Sequence, residues 1–286
     1  RAVYHHTDRQ HDRFEHRRKD DAKSMSTVAS SSQLTTAEPR RPWAVSRSTR
    51  LLGFGRILAF AIAAFGASTV FFLLQKSQVS PAYKTALTLS GLVCLITTYH
   101  YLRIFESFNS AYVLKDGLVI KSGMQFNNAY RYVDWLLTVP LLLLEFVLVL
   151  RLPHTETYKK GLGLTLASAI MVLLGYPGET LTIGFAKIIW WILAMIPFSY
   201  ILYEMIKGVG ASIKTQPLVV QPLFKKTRLL IILSWSFYPL VYILPLFGLS
   251  TFVSIQVGFT VVDIVAKSVF GILIYIIAQR KSEIGA

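Results

Sequence analysis

The chain has 286 residues, of which 53% are hydrophobic, and a formal charge of +15. So apolar a composition excludes an ordinary soluble domain of this length and indicates a membrane protein with several spans. The positive charge does not indicate nucleic-acid binding, because the cations lie in tails and loops rather than on an amphipathic face with aromatic residues. The single cysteine, Cys94, excludes a disulfide framework, and we expect it to be inert packing.

The first 50 residues differ from the remainder of the chain. They are rich in histidine, charge, serine and threonine and have no apolar periodicity, so we predict a disordered tail over 1–50. The histidine spacing matches no compact metal site. Met25 is a candidate natural start, and the serine- and arginine-rich stretch after it weakly resembles a targeting peptide.

Seven apolar stretches follow, each long enough to cross a hydrocarbon core as a helix. We place them at 51–75, 81–103, 127–151, 160–177, 182–207, 228–247 and 251–279. Between the second and third, the alternating YVLKDGLVI with Asp116-Gly117 at its centre predicts a small β-hairpin at the membrane surface. The sequence therefore predicts an all-α bundle of seven transmembrane helices over 51–279, followed by a short cytoplasmic tail over 280–286.

Loop charge predicts the orientation of this bundle. One set of loops is strongly basic, whereas the opposite set has little beyond Arg103, Lys115 and Lys121. The basic set contains Lys76, Lys84, Arg151, Lys159, Lys160, Lys207, Lys214, Lys225, Lys226, Arg228, Arg280 and Lys281. The positive-inside rule then places the C-terminus in the cytoplasm and the N-terminus outside, although a basic cluster over 40–50 argues the other way.

The third span contains ionisable residues, which are costly inside a membrane and usually functional. Asp134 and Glu145 are eleven residues apart, which at about 100° per residue returns them to nearly the same helix face. Arg131 and Thr138 lie near Asp134 on that face. We predict a proton relay in which Asp134 is ionised beside cations and Glu145 is neutral among apolar neighbours. The alternative is a pair of packing carboxylates neutralised by partners.

Lys267 lies in the middle of the last apolar stretch, four residues after Asp263. A lysine at this depth costs several kcal/mol unless it is paired or modified. An aspartate one helical turn earlier can act as its counter-ion. Because a buried lysine also loses its proton easily, it is a good Schiff-base former with an aldehyde. The seventh span is therefore predicted to carry a protonated imine.

Other side chains within the spans are candidates for the same site. His100 in the second span could hydrogen-bond an acidic partner, or simply satisfy a backbone carbonyl. Five aromatic residues could wall a flat, conjugated ligand, although each taken singly is more typical of plain packing. They are Trp135, Trp191, Tyr200, Trp235 and Tyr238.

The segment RYVDWLLTVPLLLLE, followed much later by WSFYP and VDIVAK, resembles a microbial rhodopsin over about residues 51–279. FNNAYRYVDW, LLGYPGE and the second-span histidine resemble the proteorhodopsin and xanthorhodopsin group. The resemblance implies all-trans-retinal on Lys267 as a protonated Schiff base. It also implies Asp134 as primary counter-ion and proton acceptor, with Asp263 as second counter-ion.

Further roles follow from the same resemblance. It implies Glu145 as cytoplasmic proton donor, Arg131 as outer gate, Thr138 as a hydrogen-bonding group near Asp134, and His100 as a partner of Asp134. The residues implied to line the retinal are Trp135, Thr138, Leu142, Met171, Gly175, Trp191, Trp235, Tyr238 and Pro239. Leu142 occupies the family's colour-tuning position, where leucine goes with green rather than blue absorption.

The triplet Asp134, Thr138 and Glu145 matches the outward proton-pump pattern of this family. We therefore predict a light-driven proton transporter in a lipid membrane, rather than an enzyme, without metal or nucleic acid. The alternative is a photosensory rhodopsin that signals through a partner protein, which Glu145 disfavours because sensory members often lack a carboxylic donor there. A retinal-free seven-helix receptor has little support.

Two departures from the family pattern limit these expectations. Phe247 and Ile255 stand where haloarchaeal pumps have a pair of release glutamates, so release through such a pair is not expected. Trp191 stands where antenna-binding xanthorhodopsins have a glycine, so no carotenoid antenna is expected. Family members commonly form trimers or pentamers, and a homo-oligomer is expected here.

Overall fold

The computed structural model describes residues 42–181 and 184–285, without the side chains of 42–44. The chain divides into residues 1–46 and a compact unit of residues 47–286. Of the first unit only 42–46 are described, and they form the start of the first helix. The prediction of a disordered tail over 1–50 is therefore wrong for residues 42–50, which are helical, and residues 1–41 lie outside the described residues.

Seven helices in the described ranges are long and apolar enough to cross a membrane, which confirms the predicted bundle. They are α1 (Val45–Gln78), α2 (Pro81–Ala111), α3 (Ala129–Leu150), α4 (His154–Thr180), α5 (Phe185–Lys214), α6 (Gln221–Phe247) and α7 (Phe252–Glu283). The α-helix that contains most of α1 extends from Pro42 to Gln75, so the helix begins before residue 51, where we placed the start of the first span.

A two-stranded antiparallel hairpin joins α2 to α3, as predicted. Strands β1 (Tyr112–Lys115) and β2 (Leu118–Lys121) pair with Lys115 opposite Leu118. Asp116 and Gly117 between them have φ values of 51° and 74°, the left-handed conformations that a tight hairpin turn requires. The Ser48 hydroxyl on α1 accepts a hydrogen bond from the Val119 amide at 2.9 Å, which fixes the hairpin against the bundle.

Short connections make consecutive helices antiparallel and define two ends of the bundle. We call the end with β1, β2 and the N-termini of α3, α5 and α7 the hairpin side. The opposite end, where α7 and the chain finish, is called the C-terminal side. Residues early in α3 and α7 therefore lie near the hairpin side, and residues late in these helices lie near the C-terminal side.

Within the described residues, two helices each contain one π-helical turn, Glu204–Gly208 in α5 and Val265–Val269 in α7. A π turn accommodates one extra residue and changes the direction of the side chains around it, and such turns are frequent at functional sites. Lys267 lies inside the second of them. The neighbours of Lys267 are therefore not those that a regular α-helix would give.

The surface of the bundle is apolar, and its interior combines apolar packing with a set of buried polar residues. Large hydrophobic side chains such as Phe60, Leu74 and Ile196 are about two-thirds exposed on the helix surfaces, as expected of a chain that faces lipid. The ionisable residues singled out from the sequence are all buried: His100, Arg131, Asp134, Glu145, Asp263 and Lys267. The site therefore lies between the helices, where intramembrane charges are normally found.

Candidate functional site

Lys267 and Asp134 form a buried ion pair between α7 and α3. The Lys267 Nζ donates to one carboxylate oxygen of Asp134, and both side chains are almost completely buried. Thr97 on α2 completes a small ring, because its hydroxyl donates to the other Asp134 oxygen at 2.9 Å and accepts from Nζ at 3.0 Å. Three helices therefore meet at the lysine amine.

Asp263 accepts four hydrogen bonds from other side chains. Trp135 Nε1 at 3.0 Å and the Tyr238 hydroxyl at 2.6 Å donate to Oδ1. The Tyr101 hydroxyl at 2.6 Å and Arg131 Nη1 at 3.0 Å donate to Oδ2. A carboxylate with this many donors is strongly stabilised as an anion.

Asp134 and Asp263 thus form ion pairs with different cations. We expected Arg131 beside Asp134, but its ion pair is with Asp263. Side chains on a helix point toward its N-terminus, so Arg131 extends toward the hairpin side and away from Asp134. Asp263 lies close enough to Lys267 to interact with it electrostatically, as expected of a second counter-ion, but the direct ion pair of Lys267 is with Asp134.

The contact expected of His100 differs in the structure, whereas Thr138 does form a hydrogen bond near Asp134. His100 Nδ1 lies 2.9 Å from the Ile96 carbonyl, and no hydrogen bond joins His100 to Asp134 among the described residues. Thr97, one turn earlier on α2, occupies that position instead. The Thr138 hydroxyl donates at 2.8 Å to the backbone carbonyl of Asp134, not to its carboxylate.

Glu145 is fully buried on the same helix as Asp134, toward the C-terminal side. The Ser90 hydroxyl on α2 donates to Glu145 Oε1, whereas Oε2 has no hydrogen-bond partner within the described residues. No ion pair reaches Glu145 in that part of the chain. Because an unpaired buried carboxylate is costly, this environment favours the neutral acid.

Lys267 also lies at the wall of an apolar, aromatic cavity between the helices. Nine of the eleven residues predicted to contact a ligand line it: Trp135, Leu142, Met171, Gly175, Trp191, Trp235, Tyr238, Pro239 and Lys267. Nine further residues line the cavity and were not predicted from the sequence: Tyr132, Val139, Val172, Ala194, Met195, Phe198, Tyr242, Phe259 and Ala266. Thr138 and Tyr200 were predicted but are not part of the lining.

Tyr200 faces the wrong way for a ligand contact. It lies nine residues after Trp191 on α5, which at about 100° per residue places it on the opposite helix face. Its side chain is 43% exposed, and its hydroxyl lies against Gly163 of α4. Phe198, seven residues after Trp191, lies on the inward face and takes part in the lining instead.

Several polar residues of the site were not predicted: Ser90, Thr97, Tyr101, Asn128 and Gln256. Each hydrogen-bonds a predicted residue or continues its network. Thr97 lies about one helical turn before His100 and therefore on the same face of α2. That spacing was the sequence signal that Thr97 could also reach Asp134. Hydroxyl and amide residues alone do not distinguish such contacts from ordinary packing.

The chemistry of this arrangement is specific. A buried primary amine stands at the wall of an apolar cavity, with one carboxylate in contact and a second in the same cluster. This fits an elongated apolar aldehyde that bonds to the amine and leaves a proton on the nitrogen facing Asp134. The aromatic walls suit a flat ligand.

The known proteins to which this chain is similar indicate one family. A family model described as bacteriorhodopsin-like protein matches residues 54–280. The green-light absorbing proteorhodopsin of Gamma-proteobacterium EBAC31A08 is 32% identical over 226 residues, which cover 77% of this chain and 84% of that protein. Bacteriorhodopsin of Halobacterium salinarum is 28% identical over 223 residues, covering 76% and 80%.

Solved structures show the same relationship. Xanthorhodopsin, described as a light-driven ion pump with dual chromophore, has a TM-score of 0.79 and 41% identity and covers 83% of this chain and 96% of its own. A thermophilic rhodopsin has the same TM-score and identity, with coverage of 83% and 97%. These matches confirm the resemblance that the motifs indicated, and the chain belongs to the bacteriorhodopsin-like family of type 1 rhodopsins.

Proposed function

We propose that this protein is a light-driven outward proton pump that carries all-trans-retinal covalently on Lys267. The observation that carries the proposal is the direct contact between Lys267 Nζ and the Asp134 carboxylate at the cavity wall, with Glu145 further along α3. The relatives named as proteorhodopsins and as a light-driven ion pump support it.

The residues present fit retinal. The nine predicted lining residues surround the cavity, and a polyene would run from Lys267 between aromatic side chains such as Trp135 and Trp235. Leu142 in the lining supports green rather than blue absorption. When bound, retinal supplies light absorption and a change of shape that alters the direction and acidity of the Nζ proton.

The protein groups then move that proton in one direction. The N–H bond at Lys267 breaks, and the proton passes to the Asp134 carboxylate, with which Nζ is already in contact. Asp263 retains its four donors and remains the fixed anion of the site. Glu145 holds a proton at rest and later returns one to Nζ, since its surroundings stabilise the neutral acid.

We propose that the hairpin side faces outside and the C-terminal side faces the cytoplasm. The loop charges support this orientation through the positive-inside rule, although Lys187 adds one cation to the hairpin side. We also propose that residues 51–279 form the pigment domain, preceded by the segment 1–50, whose residues 42–50 belong to the first helix, and followed by a short tail over 280–286. A homo-oligomer is proposed from the family resemblance alone.

The protein is proposed to bind no carotenoid antenna beside the retinal. Trp191 lines the cavity, and its indole nitrogen donates to the Pro239 carbonyl at 3.0 Å, which holds the ring in place. A bulky ring here fills the space that a glycine would leave open. Carotenoid vibronic bands coupled to retinal in the purified pigment would contradict this proposal.

The first experiment is light-induced pH change in an unbuffered suspension of retinal-supplied cells expressing the full chain. Acidification that a protonophore abolishes is expected. Asp134→Asn should abolish it and shift the absorption to the red, because the proton acceptor and the negative charge beside Nζ are lost. Asp116→Asn, in the exposed hairpin turn, is the matched control and should pump normally.

Other outcomes would contradict the proposal. A coloured, photocycling pigment without any pH change would indicate a sensor rather than a pump. Alkalinisation that persists or grows with the protonophore would show that another ion moves, and the roles of Asp134 and Glu145 would then be wrong.

A further inference from the structure

The polar network continues past Asp263 toward the hairpin side. Arg131 Nη2 donates to Gln256 Oε1 at 3.1 Å, and Gln256 Nε2 donates to Asn128 Oδ1 at 2.8 Å. Asn128 Nδ2 then donates to Glu179 Oε1 at 2.9 Å. An unbroken row of hydrogen-bonded side chains therefore connects Asp263 with Glu179 across the ends of α3, α4 and α7.

Glu179 lies where this row meets the surface. Its side chain, in the last turn of α4, is 20% exposed, and its Oε2 lies 3.8 Å from Nζ of Lys187 on α5. Lys187 is itself buried, with its Nζ 4.8 Å from the centre of the Tyr242 ring. The other titratable groups close to Glu179 are Arg131, Tyr132 and Tyr242.

The other described carboxylates near the hairpin side do not share this position. Glu106 is 61% exposed and pairs with Arg103 on its own helix at 2.6 Å. Asp116 lies in the exposed hairpin turn. No hydrogen bond links either of them to the row in the ranges that the structure describes. Glu179 is thus distinguished by its connection to the buried site and not simply by its charge.

We propose that Glu179 is the last proton-binding group on the exit path, a role that rests on the outward pumping proposed above. An O–H bond at Asp134 breaks as a proton leaves the buried cluster, and an O–H bond forms at the Glu179 carboxylate. That bond then breaks as water outside takes the proton. Lys187 favours this last step, because its cation stabilises the carboxylate that remains.

The row supplies a polar route from Asp263 to the surface. Asp134, which has no direct hydrogen bond to the row within the described residues, lies close enough to Asp263 to interact with it electrostatically. Polar and ionisable side chains inside a membrane protein mark ion and proton pathways, whereas apolar packing provides none. Gln256 and Asn128 cannot themselves hold an extra proton near neutral pH, so the first group along the row that can do so at the surface is Glu179. Its partial exposure gives the proton access to solvent.

The test is flash photolysis of the retinal-loaded full chain with a pH-sensitive dye in the medium. Visible absorbance reports when the proton leaves Lys267 Nζ, and the dye reports when a proton appears in the medium. Glu179→Gln should delay the dye signal roughly tenfold or more relative to the absorbance step, which should be unchanged. Glu179→Asp should restore most of the rate.

Glu106→Gln is the matched control, because it removes a carboxylate from the same side without touching the row. It should release protons as the wild type does. Asn128→Leu cuts the row one residue earlier and should reproduce the delay, so the proposal remains testable if Glu179→Gln yields no pigment. An unchanged interval in coloured Glu179→Gln, or in Asn128→Leu if the former does not fold, would overturn the inference.

The same recordings separate this inference from the proposed function. If the wild-type pigment does not acidify the medium in steady light, the proposed outward pumping is itself refuted. A wild type that pumps, with Glu179→Gln releasing protons on time, would leave pumping intact and refute only the role of Glu179.

Discussion

Each of the two buried cations at the centre of this protein has its own carboxylate. Lys267 contacts Asp134, and Arg131 contacts Asp263. Removing one partner of such a buried pair typically costs about 3–5 kcal/mol, because the other charge is left without compensation. This separation lets one pair change its protonation during function while the other stays fixed. Asp263, with three further donors, is suited to the fixed part.

At this scale the sequence predicted the charged residues and the pairing of Lys267 with Asp134, but not the ion pair of Arg131 with Asp263. Lys267, Asp134 and Glu145 stand out because charges are rare inside apolar spans. Ser90 and Thr97 do not stand out, since hydroxyl residues in membrane helices usually bond their own backbone, as Thr98 does with Cys94. Which helix faces which, at ångström precision, decides these contacts, and no local pattern encodes it.

The pairing of Glu145 with Ser90 gives a prediction for the proposed reprotonation step. Glu145→Gln should slow the return of the proton to Lys267 strongly. Ser90→Ala should slow it by about tenfold, because the hydroxyl that stabilises the newly formed carboxylate is lost. Time-resolved absorbance of the purified pigment measures both rates.

Ser168→Ala serves as the control for Ser90→Ala. Ser168 is equally buried, but its hydroxyl donates to the Thr165 carbonyl of its own helix at 2.9 Å. Its removal should leave the rate unchanged. Equal rates in wild type and Glu145→Gln would refute the donor role, whatever the result at Ser90.

At the scale of elements, α7 combines chemistry with packing. Its π turn redirects Lys267, and its last turn returns to α3, where Lys281 Nζ donates to the Val149 and Leu150 carbonyls at 3.2 and 3.3 Å. Lys281 is buried and also donates to Gln216 at 2.7 Å. A cation that caps the exposed carbonyls of a helix end stabilises that end, so α7 fixes the C-terminal side of α3.

The elements were predictable to different degrees. The hairpin followed from Asp116-Gly117, because few residue pairs adopt two left-handed conformations in succession. The π turn at Val265–Val269 was not predictable, since its residues continue an ordinary apolar helical pattern. Lys267 inside the turn pairs with Asp134, whereas Asp263 before it pairs with Arg131.

Close helix packing at Gly271 gives a prediction on stability. A Cβ at this position of α7 would lie 2.5 Å from a ring carbon of Phe72 on α1. Gly271→Ala should therefore destabilise the bundle by roughly 1–3 kcal/mol through overpacking. The temperature at which the pigment loses its colour should fall.

Gly53→Ala provides the comparison, since a Cβ there has no neighbour within 4 Å. It should leave that temperature unchanged or raise it slightly, because alanine is the better helix former by up to about 1 kcal/mol. Equal effects of the two substitutions would argue that the contact with Phe72 relaxes without cost.

At the scale of the whole molecule, the surface differs from that of a soluble protein, whereas the interior is still mostly apolar. Apolar side chains cover the helix surfaces, and the acids, bases and amides of the site lie between them. Seven spans were predictable because length and hydropathy alone decide them. The cavity was partly predictable from motifs, yet half of its lining was not, since apolar residues face inward or outward without any change in composition.

The proposed orientation predicts which residues can be labelled from outside the cell. Asp116→Cys in the hairpin and Glu283→Cys at the end of α7 place exposed thiols at opposite ends of the bundle. A membrane-impermeant maleimide should label the first in intact cells and the second only after permeabilisation. Cys94 is buried and should remain unlabelled in both.

The opposite labelling pattern would reverse the direction of transport inferred from the site. Outward pumping requires Asp134 to release toward the hairpin side, so the labelling and the pH measurement must agree. A hairpin in the cytoplasm with acidification outside would mean that the donor and acceptor roles are exchanged.

The contact between Lys267 and Asp134 also determines how the proposed cycle responds to voltage. Passing a proton between them turns four charges into two, Arg131 and Asp263, and leaves the sum at zero. Because the atoms already touch, the charge travels over only a small fraction of the bilayer. A potential of 100 mV opposes a full crossing by about 2.3 kcal/mol, and hardly any of this acts on the first transfer. An energised membrane should therefore leave this photochemical step fast. It should slow the two longer proton movements, from Glu145 to Lys267 and from the buried cluster to the hairpin surface.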